Sequence, residues 1–353
     1  MRIAHALVAL GLAVMLRGEA DAQQRPRTEQ DPVTVVGDRW VSIGGGAVFP
    51  TFSTHALEVP HPDIETAVIV IHGLQRDADA YYASMHATVR KAHAAGLTRA
   101  ETTVVIAPQF LIEADAQHHH LPSYVARWTA SAWKGGEAAL APEPRPESFG
   151  ALDALLETLA ERARFPALRR IVVVGHSAGG QVVHRYAVVG RGDAAATRHG
   201  IDVRYIVANP SSYLYLSADR PTDDGGFASD NGARCAGFDD YRFGLKNAPA
   251  YVTSRPLEAI VRDYKARRVV YLLGTADNDP NHRVLDKSCA AMAQGPHRLA
   301  RGQAYHRYVL RHVGPDAAQT HRKVLVEGVG HDHRGMFGSP AGQHALFGAW
   351  PPP

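Results

Sequence analysis

Short apolar runs with little or no polar alternation recur along the chain, and most are followed by segments of helical spacing. Ala67-Val68-Ile69-Val70-Ile71, Thr103 to Ala107, Ile171-Val172-Val173-Val174, Tyr205 to Ala208, Val269 to Leu273 and Lys323 to Val326 have this character. Such runs are too short for helices and match strands buried on both faces. Asp79 to Ala95 places Tyr82, Met85, Val89 and Ala92 at helical spacing. After Ser148, expected to cap a helix that Pro166 ends, Leu152, Leu155, Leu156, Leu159 and Ala163 form one stripe. Further helices are expected over Gly180 to Val189, Leu285 to Met292, His297 to Arg311 and Ala341 to Ala349. Val33 to Ile43 and Ala47 to Leu57 read as two opening strands around Gly44-Gly45-Gly46. Buried strands alternating with helices predict a mostly parallel sheet covered on both faces. Ligands of such sheets gather at the carboxyl ends of strands. The informative residues are therefore those just after Ile71, Val174, Leu273 and Val326.

Composition supports a folded catalytic or binding domain. Of 353 residues, 45% are apolar, enough to offset chain entropy, so disorder is excluded. Lys and Arg number 38 against 35 Asp and Glu, a net charge of +3 without a basic stripe, which disfavours nucleic acid as a partner. Met1-Arg2, the apolar run Ala6 to Leu16 and the small residues of Ala20-Asp21-Ala22 have the three-part form of a secretory signal peptide over 1–22. The chain is then expected to be exported, to the periplasm or beyond the cell, with one domain over 23–353. No other stretch is long and apolar enough for a membrane span. In an oxidising compartment the two cysteines, Cys235 and Cys289, are expected to form a disulfide, the alternative being two unrelated buried thiols. Two long excursions, about 108–147 and 210–268, interrupt the alternation and are read as insertions.

Gly175-His176-Ser177-Ala178-Gly179-Gly180 follows the strongest strand and precedes a helix. In that context G-x-S-x-G describes a turn so tight that Gly175 and Gly179 must lack side chains, while the serine hydroxyl is exposed at the sheet edge. With Ile71-His72-Gly73, Gly274-Thr275-Ala276-Asp277 and Gly328-Val329-Gly330-His331 at three other strand ends, the chain resembles the α/β-hydrolase superfamily from about Val33 onward. The resemblance implies an eight-stranded, mostly parallel sheet with a lid or insertion after the sixth strand. It implies Ser177 as nucleophile, His331 as base and Asp277 as the acid that orients it, with His333 and Asp279 as the respective alternatives to the base and the acid. Ala178 and Leu74 would supply oxyanion N–H groups, Gln75 being the neighbour left open. His72 is expected to hold its loop by hydrogen bonds rather than to transfer protons.

Gln75, His176, Asn209 and Tyr213 are expected to border the substrate pocket. Trp128, Trp133, Tyr215, Phe227 and Phe238 either line it with Tyr213 or pack the insertions onto the body. His118-His119-His120 is read as a solvated loop, since three consecutive side chains cannot converge on one ion. No metal and no cofactor are expected. The expected activity is serine-dependent cleavage of a small or polymeric carboxylic ester through an acyl-enzyme. Amidase, peptidase or polyester depolymerase activity on the same triad is the alternative, and a noncatalytic binding protein the remote one. The oligomeric state stays open.

Overall fold

The computed structural model describes residues 27–229, 235–314 and 316–351, so the expected signal peptide lies outside the described residues. Eight strands form the central sheet: β1 (Arg39–Ser42), β2 (Val48–Ser53), β3 (Thr66–Ile71), β4 (Thr103–Pro108), β5 (Arg170–His176), β6 (Asp202–Ala208), β7 (Arg268–Gly274) and β8 (His321–Val326). Their spatial order is β1-β2-β4-β3-β5-β6-β7-β8. β1 and β2 are antiparallel to their neighbours, and β3 to β8 run parallel. The opening strands are much shorter than the sequence runs that contain them.

Strand alternation builds two cores. Val68, Val70, Val172, Val174 and Ile206 face one side with Met85, Val89 and Phe337. Ile69, Ile71, Ile171, Val173 and Val207 face the other with Leu155, Val183 and Tyr305. All ten strand residues are fully buried, which is why the sequence shows no polar alternation.

The helices differ from expectation mainly at their ends. α1 (Ala78–Ala94) buries Tyr81, Met85, Val89 and Ala92, so Tyr81 rather than Tyr82 leads its stripe. α2 (Ser148–Ala160) starts at Ser148, whose hydroxyl accepts from the Gly136 N–H at 3.0 Å instead of capping the helix. It ends well before Pro166. α3 (Ala178–Val189) begins directly after Ser177. α4 (Leu257–Ala266) lies inside the expected second insertion yet contributes Ile260 and Tyr264 to the core. It is the crossover helix into β7, so the insertion is shorter than 210–268. The helix expected over Leu285 to Met292 shrinks to one turn, Cys289–Met292. α5 (Arg298–His312), α6 (His333–Gly338) and α7 (Pro340–Phe347) complete the chain; sequence patterning had passed over α6.

The insertions are packed onto the body. Trp128 and Trp133 are fully buried against Phe110, and Tyr213, Tyr215 and Phe238 are buried as well. Phe227, half-buried, packs edge-on against Tyr308. A disulfide joins Cys235 to Cys289, tying the second insertion to the segment ahead of α5. No helix among the described residues is long and apolar enough to cross a membrane.

Arginines lock the periphery. Arg170 and Arg204 donate to the carbonyls of Phe347, Ala345 and Gly348, placing positive charge at the carboxyl end of α7, where the helix dipole favours it. Arg76 is fully buried and pairs with Asp115 through two bonds of 3.0 Å. It also donates to the carbonyls of Glu29 and Asp31, while Asp115 accepts from the N–H groups of Val33 and Ile112. One ion pair thus pins the 29–33 segment against the loop after β3. Removing one partner of such a pair strands a buried charge, so Arg76→Met is expected to cost about 3–5 kcal/mol in urea unfolding. A loss under about 1 kcal/mol, the scale of a surface pair, would show that the pair does not brace this region.

Candidate active site

Register places the ends of five strands in one row. Ile71 pairs with Gly175, His176 with Ala208, Ala208 with Leu272, and Gly274 with Val326. The residues that leave these ends therefore meet above one edge. Ser177 sits between β5 and α3 with φ 60° and ψ −120°. A non-glycine residue there carries strain of about 1–3 kcal/mol, tolerated only where surroundings fix the backbone. The fixing contacts are visible. The Ser177 N–H donates to the Ala208 carbonyl at 3.0 Å, and the Gln181 N–H donates to the Ser177 carbonyl at 3.0 Å. A Cβ on Gly175 would lie 2.3 Å from the Gly179 carbonyl oxygen, and one on Gly179 would lie 2.2 Å from that of Ile71. A Cβ on Gly180 would reach within 2.5 Å of the Ala208 oxygen. No side chain fits at these three places.

Ser177, His331 and Asp277 form a hydrogen-bonded line. His331 Nε2 lies 2.9 Å from Ser177 Oγ, and its Nδ1 lies 2.7 Å from Asp277 Oδ2. The carboxylate can only accept, so Nδ1 carries the proton and Nε2 is left to accept from the serine hydroxyl. Asp279 is not part of this line: its carboxylate accepts from the Asn281 N–H in a turn. His333 stacks on Tyr81, with ring centroids 4.1 Å apart, rather than facing Ser177. Arg298, fully buried, bonds the second oxygen of Asp277 at 3.2 Å.

The other expected site residues divide. The Ala178 N–H opens α3 and has no acceptor within that helix, and among the described residues no backbone carbonyl takes up the Leu74 N–H. His72 is buried, and its Nε2 accepts from the Phe110 N–H at 3.0 Å, which leaves Nδ1–H to donate to the Gly73 carbonyl at 2.9 Å. Its contacts are those of a loop brace. Gly73 sits beneath the Tyr81 hydroxyl, 2.7 Å from where a Cβ would stand. Gln75 and His176 line the cavity above Ser177. Asn209 and Tyr213 do not, contrary to expectation. Asn209 is buried and acts as a bolt: Oδ1 accepts from the Gly274 N–H at 2.9 Å and Nδ2 donates to the Gly330 carbonyl at 3.3 Å. Tyr213 is stacked on Tyr305 inside the core.

The cavity measures about 380 Å³. Beyond the residues already named, its walls include Arg27, Glu29, Asp77, Arg283 and Val284. Among the described residues, the lining includes none from the insertion after β6, where a lid or insertion was expected. The N-terminal segment forms part of the wall, and Arg27 and Gln75 exchange bonds to each other's carbonyls at 3.2 and 3.1 Å. Its sequence is polar and unpatterned, so nothing marked it as a cavity wall. Arg298 was equally hidden, since an arginine in a helix normally reads as surface.

No family model matches the chain, and a search of curated proteins finds no match. Solved structures do match. Poly(aspartic acid) hydrolase-1 from Sphingomonas sp. KT-1 is 21% identical, with a TM-score of 0.56 over 87% of this chain and 96% of that one. A poly(3-hydroxybutyrate) depolymerase from Bordetella parapertussis is 20% identical, with a TM-score of 0.54 over 85% and 86% of the two chains. The chain has the α/β-hydrolase fold.

Burial shapes the charges of this hydrolase-fold site. Burial pulls His331 below the ordinary imidazole value; the bond to Asp277 opposes that and the Arg298 charge adds to it. Burial alone would raise Asp277, but the bond from His331 and the charge of Arg298 hold its carboxyl below the usual range. His333 is pushed down to about 4, chiefly by burial, while Asp77 on the cavity wall is raised to about 6. His176 is also held neutral by burial. A base must be unprotonated to work, so activity should fall as pH drops through the His331 titration. Because that titration is displaced downward, the acid limb of kcat/KM for a neutral ester should have its midpoint below 6.5. A midpoint at or above that value would contradict the assignment of His331 as a buried base.

Proposed function

We propose that the protein is an exported serine hydrolase that cleaves carboxylic esters through an acyl-enzyme. The observation that carries this reading is the line from Ser177 through His331 to Asp277, centred on a serine held at φ 60°. Serine is a weak nucleophile near neutrality unless a base lies within hydrogen-bond reach. His331 Nε2 takes the Ser177 proton as Oγ attacks the ester carbonyl. Asp277 fixes the tautomer and stabilises the imidazolium. The N–H groups of Ala178 and Leu74 face the developing oxyanion. His331 then protonates the leaving alcohol, and water, activated by the same imidazole, releases the acid and restores the enzyme.

A second reading, attack on a polymeric ester or amide, is favoured by the names of the two solved structures above, each a polymer hydrolase. Both readings use one tetrahedral intermediate, so a substrate panel separates them. Export is supported by the sequence pattern of residues 1–22 and by the Cys235–Cys289 bond, since disulfides persist in oxidising compartments.

Ser177→Ala is expected to lower hydrolysis of a short-chain aryl ester at least about a thousandfold while leaving thermal unfolding unchanged. Labelling by a fluorophosphonate should require Ser177. Retained turnover in the variant would refute the nucleophile, and an unlabelled, inactive wild type would favour a noncatalytic binding role.

A further inference from the structure

Arg298 is 1% exposed, at the start of α5, and spends its donors on four partners. Nη1 lies 3.2 Å from Asp277 Oδ1 and 3.3 Å from His282 Nδ1. Nε donates to Ser211 Oγ at 3.1 Å, and Nη2 to the Val284 carbonyl at 2.8 Å. The guanidinium thus joins the segment after β6, the segment after β7 and α5 to one oxygen of the acid in the Ser177 line. We propose that Arg298 is a positioning residue for this site: it turns the Asp277 carboxylate so that Oδ2 meets His331, and its charge opposes protonation of that imidazole. This rests on the reading of Ser177, His331 and Asp277 as a working triad.

The geometry explains both effects. Asp277 is buried, and without Arg298 its Oδ1 would lose a charged donor. A carboxylate held at one oxygen only rotates about its Cβ–Cγ bond and presents Oδ2 less consistently. Its full negative charge would also face His331, and an opposite charge at contact distance favours the imidazolium. Other groups surround His331. His176 approaches from the end of β5, His282 from the segment after β7, Asp332 from its own loop and His333 from the start of α6. Asp279 and Arg334 lie one layer further out, against Arg298 and His333 respectively. Burial keeps His176, His282 and His333 on the neutral side, and Asp332 is exposed, with its carboxylate capping α6. Arg298 is the buried cation that touches the triad acid directly.

The test compares pH profiles of kcat/KM for wild type, Arg298→Gln and Arg298→Lys, with thermal unfolding as a check on folding. Arg298→Gln should lower kcat/KM and move the acid limb up by about one pH unit. Arg298→Lys keeps the charge, but a compact ammonium cannot reach all four partners. Its limb should stay with the wild type while kcat/KM falls about tenfold. A folded Arg298→Gln protein that is slower with an unmoved limb would reduce Arg298 to packing and overturn the proposal. If the Gln variant does not fold, the Lys variant decides: undiminished kcat/KM would overturn it. Titration of the His331 imidazole by NMR reads the same shift without turnover. An inactive wild type would sink the triad reading, while this titration would still report whether Arg298 opposes protonation.

Discussion

The geometry of the candidate site hangs on one tight backbone approach. α3 starts so tightly after β5 that Gly179 sits under the carbonyl of Ile71 and Gly175 under that of Gly179. This forces Ser177 to φ 60° and thrusts its hydroxyl above the row of strand ends. The strain persists because the parallel register of β3, β5 and β6 fixes the surrounding carbonyls before the turn is made. Burial on both faces makes that register firm, since a one-residue slip would exchange the two cores. The exposed serine is therefore a product of sheet packing, not of the loop sequence alone.

Burial on both faces also decides how much of the fold is readable from residues. Fully buried strands such as Ile171 to Val174 and Val269 to Leu273 carry their signal in every position, so their placement along the chain was legible. The four strand-end motifs were legible because tight turns demand glycine at fixed places. Helix ends were less so. Ser148 has the chemistry of a cap, yet its hydroxyl is taken by the Gly136 N–H, a contact that depends on how the first insertion packs. Asn209 and Tyr213 follow a strand end, a position that points to the pocket, but orientation decides their fate. Asn209 turns into the gap between β7 and the His331 loop, and Tyr213 turns toward Tyr305. Neither direction is encoded in a local pattern.

Buried arginines form a second layer of order that sequence patterning could not reveal. Arg76, Arg204, Arg267, Arg298 and Arg301 are all buried and donate chiefly to carbonyls or carboxylates. Each reaches a segment outside the sheet: Arg267 closes the carboxyl end of α3 at Gly190, and Arg301 reaches the Ser211 carbonyl. A guanidinium suits this task because it offers five donors in a rigid plane and stays charged when buried. In a composition table these residues count as solvent-facing charge, which is why the nearly balanced net charge said nothing about them.

The charge pattern of the cavity follows from this bracing. Imidazoles around Ser177 are driven neutral by burial, His333 to about 4 and His176 well below its ordinary value, so they are weak bases and place no positive charge beside His331. Asp77, raised to about 6 on the cavity wall, becomes a full carboxylate only toward neutral pH. Across that range the one carboxylate held firmly ionised at the line is Asp277, bracketed by His331 and Arg298. On the proposed reading, an acid so bracketed orients the imidazole without drawing its proton across, because the guanidinium already satisfies part of its charge. On that reading the base remains available in mildly acidic surroundings, at the cost of a less basic imidazole.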